Sequence, residues 1–425
     1  MKNLYTIMLI ALSAIVSVPF QSNAQGQVFD LVSIGAGYTN QAFYSLENGE
    51  VSNVTNTDWE LGFQITGFQA TILVNGKNNV RLFRSGFGVN DWANITALDT
   101  VGALNPTNEL LNQDTSWWSG AFNITADTAN QFDLGWGNYD FATHAVTGDS
   151  LFFLKMPSGD VMKIWIQSLQ NNIYYFAYAN VDGTGEVNTT LPKSAFTGKN
   201  FGYYSITNGV TVDREPNKYI WDLTFAQYMS AQPFPYKVSG VLANDSVSVA
   251  KAYPVDVATT LPWGQNYSYH INTIGYNWKA YDFNTNAWLI EDSTVFFVYD
   301  RPGSLWKLVF TNFGGSLNGN YEFYKEKITQ TGIAENNGNP VLLNIAPNPS
   351  NGSAQLTLFV AQYSSENYVA IYDLSGRQIH MESLPANEGL YNLPITLNGV
   401  QSGTYLVKVV AGNKSTVQKL VISEN

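Results

Sequence analysis

The stretch Trp59-Glu60-Leu61-Gly62-Phe63 decides the fold, because it recurs 162 residues later as Trp221-Asp222-Leu223-Thr224-Phe225. A second block, Phe43-Tyr44-Ser45-Leu46-Glu47-Asn48-Gly49, recurs 160 residues later as Tyr203-Tyr204-Ser205-Ile206-Thr207-Asn208-Gly209. In the first block, large apolar residues stand at every second position, as on one face of a β-strand. We therefore expect the rings of Trp59, Phe63, Trp221 and Phe225 to pack in a core, with the intervening acid pointing outward.

Two further blocks follow in the same order. Tyr139–His144 matches Tyr281–Asn286, and Gly159 with Lys163-Ile164 matches Gly303 with Lys307-Leu308. Their offsets of 142 and 144 imply that the second copy is about 20 residues shorter between its second and third blocks. The sequence thus predicts two tandem copies of one unit, residues 25–198 and residues 199–330.

Both copies show strand signals. Leu151–Met156 and Val161–Ile166 flank a Pro-Ser-Gly-Asp turn, and Val295–Tyr299 and Leu305–Phe310 flank Arg-Pro-Gly-Ser. Lys163 interrupts an apolar strand, which predicts a solvent-facing position there. The predicted fold class is all-β, with two related antiparallel units followed by a small immunoglobulin-like sandwich.

Composition excludes several kinds of site. The 425 residues include no cysteine and three histidines, so disulfides, thiolate metal sites and cysteine nucleophiles are excluded and a metal centre is not expected. The formal net charge of −12 and the lack of basic runs argue against a nucleic-acid partner.

The N-terminus predicts export. Lys2 precedes an apolar stretch, Leu4–Val18, which ends before Pro19 and Ser22-Asn23-Ala24. This pattern is typical of a signal peptide over residues 1–24, and its apolar part is too short for a membrane span. We expect no transmembrane span in the mature chain.

A polar segment, residues 331–342, predicts a linker before a third domain, residues 343–425. Short strands separated by turns predict a β-sandwich of roughly 80 residues there. Four ordered elements mark it: the opening Pro347-Asn348-Pro349, Ile371–Arg377 with Gly376 and Arg377, Ser402–Val407 with Gly403 and Tyr405, and Lys419–Ile422.

Residues 343–425 closely resemble the type A C-terminal sorting domain of type IX secretion cargo. The resemblance implies an interaction with the type IX secretion machinery of a Gram-negative bacterium. It also implies removal of the domain, followed by release or by attachment to the cell surface through lipopolysaccharide. The protein is therefore expected to be secreted or on the cell surface.

Motifs of common active sites are absent from the sequence, including G-x-S-x-G, H-E-x-x-H and the phosphate-binding P-loop. We predict a binding protein without catalytic activity. A glycosidase pair of carboxylates needs no fixed sequence spacing, so a hydrolase stays open as an alternative.

The blocks Trp59–Phe63 and Ile72–Gly76, with the later Y-D-F and G…K-[IL] elements, resemble the HmuY family of secreted haem-binding proteins. This resemblance implies an all-β fold that captures haem between two axial side chains, usually His or Met. No matching ligand pair is evident here. Haem would have to be held by imidazole or thioether groups, for which the candidates are His144, His270, Met156, Met162 and Met229.

Two other functions compete with haem capture. Aromatic clusters beside Asn and Asp are typical of polysaccharide binding; these are Trp117-Trp118, Trp136 with Tyr139, Tyr174–Tyr178, and Trp263 with Tyr267 and Tyr269. The acidity of the chain, its abundant Asn, Gly and Thr and its lack of cysteine also fit a structural or adhesive matrix protein. The sequence leaves these alternatives open.

Overall fold

The computed structural model describes residues 26–230, 234–328, 341–360, 367–384, 389–397, 399–411 and 414–423. The chain forms two compact units, one ending at Ile328 and one beginning at Thr329. Strands dominate both units. Among the described residues, neighbouring strands of every sheet pair in antiparallel ladders. The predicted all-β fold class is confirmed.

The N-terminal unit contains twenty-three of the described strands. They are β1 Val28–Ser33, β2 Asn40–Ser45, β3 Gly49–Thr55, β4 Leu61–Gln64, β5 Ile72–Val74, β6 Arg81–Gly88, β7 Glu109–Leu110, β8 Gly137–Asp140, β9 Ala145–Gly148, β10 Ser150–Lys155, β11 Val161–Gln170, β12 Ile173–Asn180, β13 Val187–Pro192, β14 Phe201–Ser205, β15 Val210–Val212, β16 Leu223–Ser230, β17 Tyr236–Ala243, β18 Ser248–Ala252, β19 Lys279–Asp282, β20 Ala287–Ile290, β21 Val295–Tyr299, β22 Leu305–Phe313 and β23 Asn320–Lys327.

Helical structure in this unit is limited to single turns. The α-helix α1 spans Gly315–Asn318, and the 3₁₀ turns are Ala36–Tyr38, Gly76–Asn78, Val89–Asp91, Ala97–Thr100, Pro106–Asn108, Ala121–Asn123 and Lys193–Phe196. No helix in the described part of the chain is long and apolar enough to cross a membrane.

The sheets occur in two equivalent pairs. The order β1-β23-β22-β21-β18 corresponds to β13-β12-β11-β10-β6, which β7, β8 and β9 extend. The order β17-β16-β2-β3 corresponds to β5-β4-β14-β15. The duplication seen in sequence is therefore a duplication of sheet topology.

The two copies exchange strands. β4 of the first copy pairs with β14, which opens the second copy, so that Gly62 lies opposite Tyr203. β16 of the second copy pairs with β2 from the start of the first copy, so that Leu223 lies opposite Tyr44. We call β4–β15 half A, and β1–β3 with β16–β23 half B. Half A therefore combines most of the first sequence copy with the opening strands of the second, and half B combines the rest of the second copy with the opening strands of the first. Both halves contain residues from each side of the predicted boundary at residues 198 and 199.

Each half encloses its own core. Phe63 is fully buried in half A, where its ring lies 4.9 Å from Tyr174 and 5.0 Å from Phe176. Phe225 is its equivalent in half B and packs 5.1 Å from Tyr321. Trp59 and Trp221 are also buried, in edge-to-face contacts with Tyr203 and Phe43. All four block aromatics thus lie inside the protein.

The acids of the repeated block are buried, so the outward orientation predicted for them is wrong. Glu60 is 2% exposed, and Asp222 is 5% exposed. The carboxylate of Glu60 accepts the N–H of Ile206 at 2.7 Å, and that of Asp222 accepts the N–H of Leu46 at 2.8 Å. The physical reason is that each acid satisfies a buried backbone donor in the turn that follows its partner strand.

The solvent-facing position predicted for Lys163 is also wrong. Lys163 is 2% exposed and donates to the carbonyl of Trp92 at 2.6 Å. Its ammonium group lies 4.9 Å from the Trp92 ring. The equivalent Lys307 is likewise buried and donates to the carbonyl of Val257 at 2.5 Å. Both lysines are accommodated because a loop carbonyl covers the charged end.

The C-terminal unit is a sandwich of two sheets. Its described strands are β24 Val341–Ala346, β25 Ser353–Val360, β26 Asn367–Asp373, β27 Gln378–Ser383, β28 Gly389–Thr396, β29 Gly403–Ala411 and β30 Lys414–Ile422. One sheet has the order β24-β25-β28, and the other has the order β27-β26-β29-β30. Alternate residues such as Leu356, Ile371 and Val407 are fully buried in a shared core.

Two predictions fall wholly or mainly on residues that the structure does not describe. The signal peptide, residues 1–24, lies outside the described residues, as do residues 329–340. Within the predicted linker, residues 341 and 342 already belong to β24.

Candidate functional site

An open cleft of about 580 Å³ lies between the two halves of the N-terminal unit. Half A contributes the loop Thr115–Trp118, and half B contributes the segments Asn244–Ser246 and Tyr269–Ile271. This volume lies within the range of small-ligand sites. The cleft brings together two aromatic clusters that are about 150 residues apart in sequence.

The aromatic walls of the cleft are anchored to the fold. The indole N–H of Trp117 donates to the carbonyl of Ala243 at 2.8 Å, and the Trp118 ring stacks on Phe201 at 5.8 Å. The backbone N–H of Ile271 donates to the carbonyl of Thr115 at 3.1 Å, which ties the two walls together. Tyr269 is 72% exposed, so its ring is available to a ligand.

The polar side of the cleft is formed by Asn244, Asp245 and Ser246. Asn244 is buried, and its amide group donates to the carbonyls of Lys218 and Trp221. The Asp245 carboxylate lies 3.8 Å from the guanidinium of Arg301. Asp245 is the only acid among the described residues that line the cleft.

Sequence reasoning did not find this polar wall. Asn244 and Asn75 are equivalent in the two copies, because the side-chain amide of each bonds to the backbone carbonyl of the tryptophan that opens the repeated block. Asn75 donates to the carbonyl of Trp59 at 3.0 Å, as Asn244 does to that of Trp221 at 2.8 Å. The pair was hidden because the spacing from the tryptophan is 16 residues in one copy and 23 in the other.

The haem-ligand candidates lie in different places. His270 lines the cleft, whereas Met156 and Met162 line a separate cavity of about 580 Å³ in half A. His144 is exposed in the β8–β9 turn, where its Nδ1 lies 2.8 Å from the Tyr139 hydroxyl. Met229 is half-buried. The structure therefore brings the two methionines together, but not with either histidine.

His144 and its equivalent Asn286 share a backbone requirement. Their φ angles are 55° and 51°, in the left-handed region that histidine and asparagine tolerate better than most residues. This turn geometry accounts for the residue type at both positions without any ligand. No group of three or more His, Asp or Glu able to hold a metal is found among the described residues.

Most other aromatic clusters predicted as sugar platforms belong to the core. Trp136 and Tyr174 are fully buried, and Phe176 and Tyr178 are buried beside them. Trp263 and Tyr267 are half-buried and pack in a smaller cluster of half B. Trp117 and Trp118 are also half-buried and pack against Phe201, but together with Tyr269 they are the described residues of these clusters that line the cleft.

Two ionisable groups outside the cleft are deeply buried. Burial lowers the pKa of Lys279 to about 7, and its ammonium group donates to the carbonyl of Ser239 at 2.6 Å. Burial raises the pKa of Glu215 to about 7, although the carboxylate accepts backbone N–H groups from Asn200 and Phe201. Neither group is among the residues that line the cleft or the cavity beside Met156 and Met162, so we assign neither to a ligand site.

The motif residues of the C-terminal unit have clear structural roles. The Asn348 side chain donates to the carbonyl of Lys419 and accepts the N–H of Val421, so the Pro347-Asn348-Pro349 opening is held to β30. Tyr405 donates to the carbonyl of Gln401 at 2.7 Å.

The turn after β26 is organised by Asp373. Its carboxylate accepts the hydroxyl and N–H of Ser375 and pairs with Arg377, and the hydroxyl contact is the main reason that its pKa falls to about 2. Gly376 supplies the positive φ of 84° that the turn requires, and Gly403 begins β29.

Residues 344–423 match the family model described as a secretion system C-terminal sorting domain. The chain carries a type IX secretion sorting domain. This domain marks proteins that the type IX machinery of Gram-negative bacteria exports to the cell surface or the extracellular space. The predicted export route, machinery partner and localisation are therefore confirmed, and the sorting domain itself covers only the C-terminal unit.

A search of curated proteins finds no match to the chain. Among solved structures, the chain is similar to that described as dimeric latent PorU from Porphyromonas gingivalis, with 12% identity and a TM-score of 0.19. The match covers 66% of this chain and 26% of PorU, and a score this low supports no argument about fold or function. These matches do not bear on the HmuY resemblance, which stays a prediction.

Proposed function

We propose that the protein is an exported, non-catalytic glycan-binding protein whose ligand occupies the cleft between halves A and B. The observation that carries this proposal is the meeting of Trp117, Trp118 and Tyr269 with the polar groups of Asp245 and Ser246. Flat rings contact the apolar faces of sugars, and nearby carboxylates and hydroxyls bind sugar hydroxyl groups.

The absence of catalysis is supported by the charges in the cleft. Hydrolysis of a glycosidic bond ordinarily needs two carboxyl groups on opposite sides of the scissile bond. Asp245 is the one acid among the described residues of the lining, and Arg301 lies beside it. This arrangement favours binding over hydrolysis.

Binding of soluble oligosaccharides to the full-length protein, measured by calorimetry after a glycan-array screen, tests the proposal. Tyr269→Ala should weaken binding about fivefold, because it removes one stacking ring while leaving the core intact. Tyr253→Ala is the matched control, since Tyr253 is 53% exposed and does not line the cleft. Equal affinities of the two variants, or no oligosaccharide binding at all, would contradict the assignment.

Haem capture is the second candidate, and the position of His270 in the cleft is the observation that favours it. Haemin titration of the same protein separates the two functions. A shifted Soret band that is lost in His270→Ala would support haem as the ligand. An unshifted Soret band with the wild-type protein would exclude haem capture and leave glycan binding as the proposed function.

A further inference from the structure

Two equivalent hairpins each present an exposed phenylalanine. β8 and β9 are joined by residues 141–144, and β19 and β20 are joined by residues 283–286. Phe141 is 73% exposed and Phe283 is 83% exposed, each at the first position of its four-residue loop. The duplicated unit thus displays the same aromatic side chain at the same place twice.

The acids that flank these rings shape the turns. Asp140 accepts the N–H groups of Ala142 and Thr143. Asp282 accepts the N–H of Asn284 and the hydroxyl of Thr285. Such bonds from Asp to the backbone two residues on are a common way to build a turn.

The two phenylalanines have no comparable structural role. Phe141 contacts His144 at 5.9 Å between ring centroids, and Phe283 contacts Tyr281 at 5.1 Å, so the ring contact of each lies within its own hairpin. The block Tyr139–His144 and its copy Tyr281–Asn286 differ at other positions, such as Ala142 and its counterpart Asn284. A single exposed apolar ring is ordinary on a protein surface. It is the recurrence of the same exposed ring at the same position in both copies that points to a contact outside the chain.

We propose that the two hairpin tips are additional stacking sites for an uncharged polysaccharide whose sugar units also bind in the cleft. This inference rests on the proposed glycan-binding function. A repeating polymer offers the same apolar sugar face many times, and two equivalent rings on one protein match such a ligand.

Charge favours this partner over an anionic lipid surface or a nucleic acid. Each ring is preceded by an aspartate, Asp140 or Asp282, and the chain has a formal net charge of −12. Anionic lipid headgroups and nucleic acids are repelled by such tips. An uncharged polysaccharide carries no charge to be repelled.

Retention of the full-length protein on insoluble cellulose, chitin and xylan tests the inference. Phe141→Ala and Phe283→Ala should each weaken apparent affinity for the retaining polymer about fivefold, and the double variant about 25-fold. Phe68→Ala is the matched control, because Phe68 is 100% exposed but does not belong to the repeated hairpin block. Thermal unfolding of each variant should match the wild type, since these rings lie outside the core.

Soluble oligosaccharides separate this inference from the proposed function. The double variant should bind them in the cleft with wild-type affinity, whereas Tyr269→Ala should not. Normal polymer retention by the double variant would overturn the hairpin sites and leave the cleft standing. A wild-type protein that binds neither oligosaccharide nor polymer would overturn both, and retention on phosphatidylcholine vesicles instead of polymer would identify the tips as lipid contacts.

Discussion

Replacing Glu60 by alanine should destabilise the N-terminal unit by about 3 kcal/mol. Glu60 joins the copies at three points: its N–H donates to the carbonyl of Tyr204 at 3.0 Å, and its carboxylate accepts the N–H of Ile206 at 2.7 Å and the hydroxyl of Thr207 at 2.8 Å. The first bond survives the substitution, but the second leaves a buried donor unpaired. A lost hydrogen bond to a charged group costs about 1.5–3 kcal/mol, and removing the partner of a buried donor adds a desolvation penalty. Thr207 is exposed, so water replaces its lost contact.

Urea unfolding followed by tryptophan fluorescence is the appropriate assay. All 11 tryptophans lie between residues 59 and 306, so their emission reports the N-terminal unit alone. Glu60→Gln should cost about 1 kcal/mol, because the amide oxygen still accepts the Ile206 N–H but carries no charge. Glu50→Ala is the control, since Glu50 is exposed and should change stability by less than about 0.5 kcal/mol.

Two results would refute this reasoning. If Glu60→Ala were no less stable than Glu50→Ala, the contact with Ile206 would not contribute to the exchange of strands. If Glu60→Gln were as unstable as Glu60→Ala, the loss would come from the charge and not from the unpaired donor. The equivalent variant Asp222→Ala removes the same acceptor from Leu46, and should show a loss of similar size in the same assay.

Three further predictions concern groups whose environments are unusual. The pKa of Lys279 falls from 10.5 in the unfolded state to about 7 in the folded state, so unfolding takes up a proton between about pH 7 and pH 10.5. The free energy of unfolding should therefore rise with pH from about 7 to 10.5. Lys279→Met should flatten that part of a plot of the urea midpoint against pH. The pKa of Glu215 rises from 4.5 in the unfolded state to about 7 in the folded state, so between these pH values the folded state holds a proton that the unfolded state has released. The free energy of unfolding should therefore fall as pH rises from about 4.5 to 7, and Glu215→Gln should remove this decrease. His144→Val should lower stability by about 1–2 kcal/mol because of the left-handed φ, whereas His144→Asn should keep the wild-type thermal midpoint, as Asn286 occupies the equivalent turn.

The strand content could be predicted from local sequence, but the pairing could not. The recurrence of Trp59–Phe63 identifies a strand and its copy, yet a β-strand pairs through backbone groups that every residue carries. Nothing local indicates that β4 pairs with a strand about 140 residues away. The exchange between copies follows from the whole topology.

The two wrong orientations have a common physical cause. Alternation predicts that a polar residue in an apolar strand faces water, and this holds only where water reaches the strand. Glu60 meets the unpaired N–H of a following turn, and Lys163 meets the carbonyl of a covering loop. In both cases a partner distant in sequence satisfies the polar group, and periodicity carries no information about such partners.

The candidate site was visible from the sequence only in pieces. Trp117-Trp118 and Tyr269 stand out as aromatic clusters, but so do Trp136 and Tyr174, which are core residues. Composition cannot separate these cases, since an exposed ring and a buried ring have the same chemistry. The distinction arises from the fold, which brings one wall from each half together.

The proposed cleft site and the proposed hairpin sites relate differently to the two copies. Trp117-Trp118 lies in the interval after Phe63, where the first copy is 20 residues longer than the second. The tryptophan wall of the cleft therefore comes from the longer interval, and the facing Tyr269 comes from the corresponding interval of the shorter copy. Phe141 and Phe283 lie in a block that both copies keep, which suits a contact made twice on a repeating ligand. The proposed polysaccharide ligand fits both features, because one kind of repeating unit can fill the cleft and also stack on the hairpin rings.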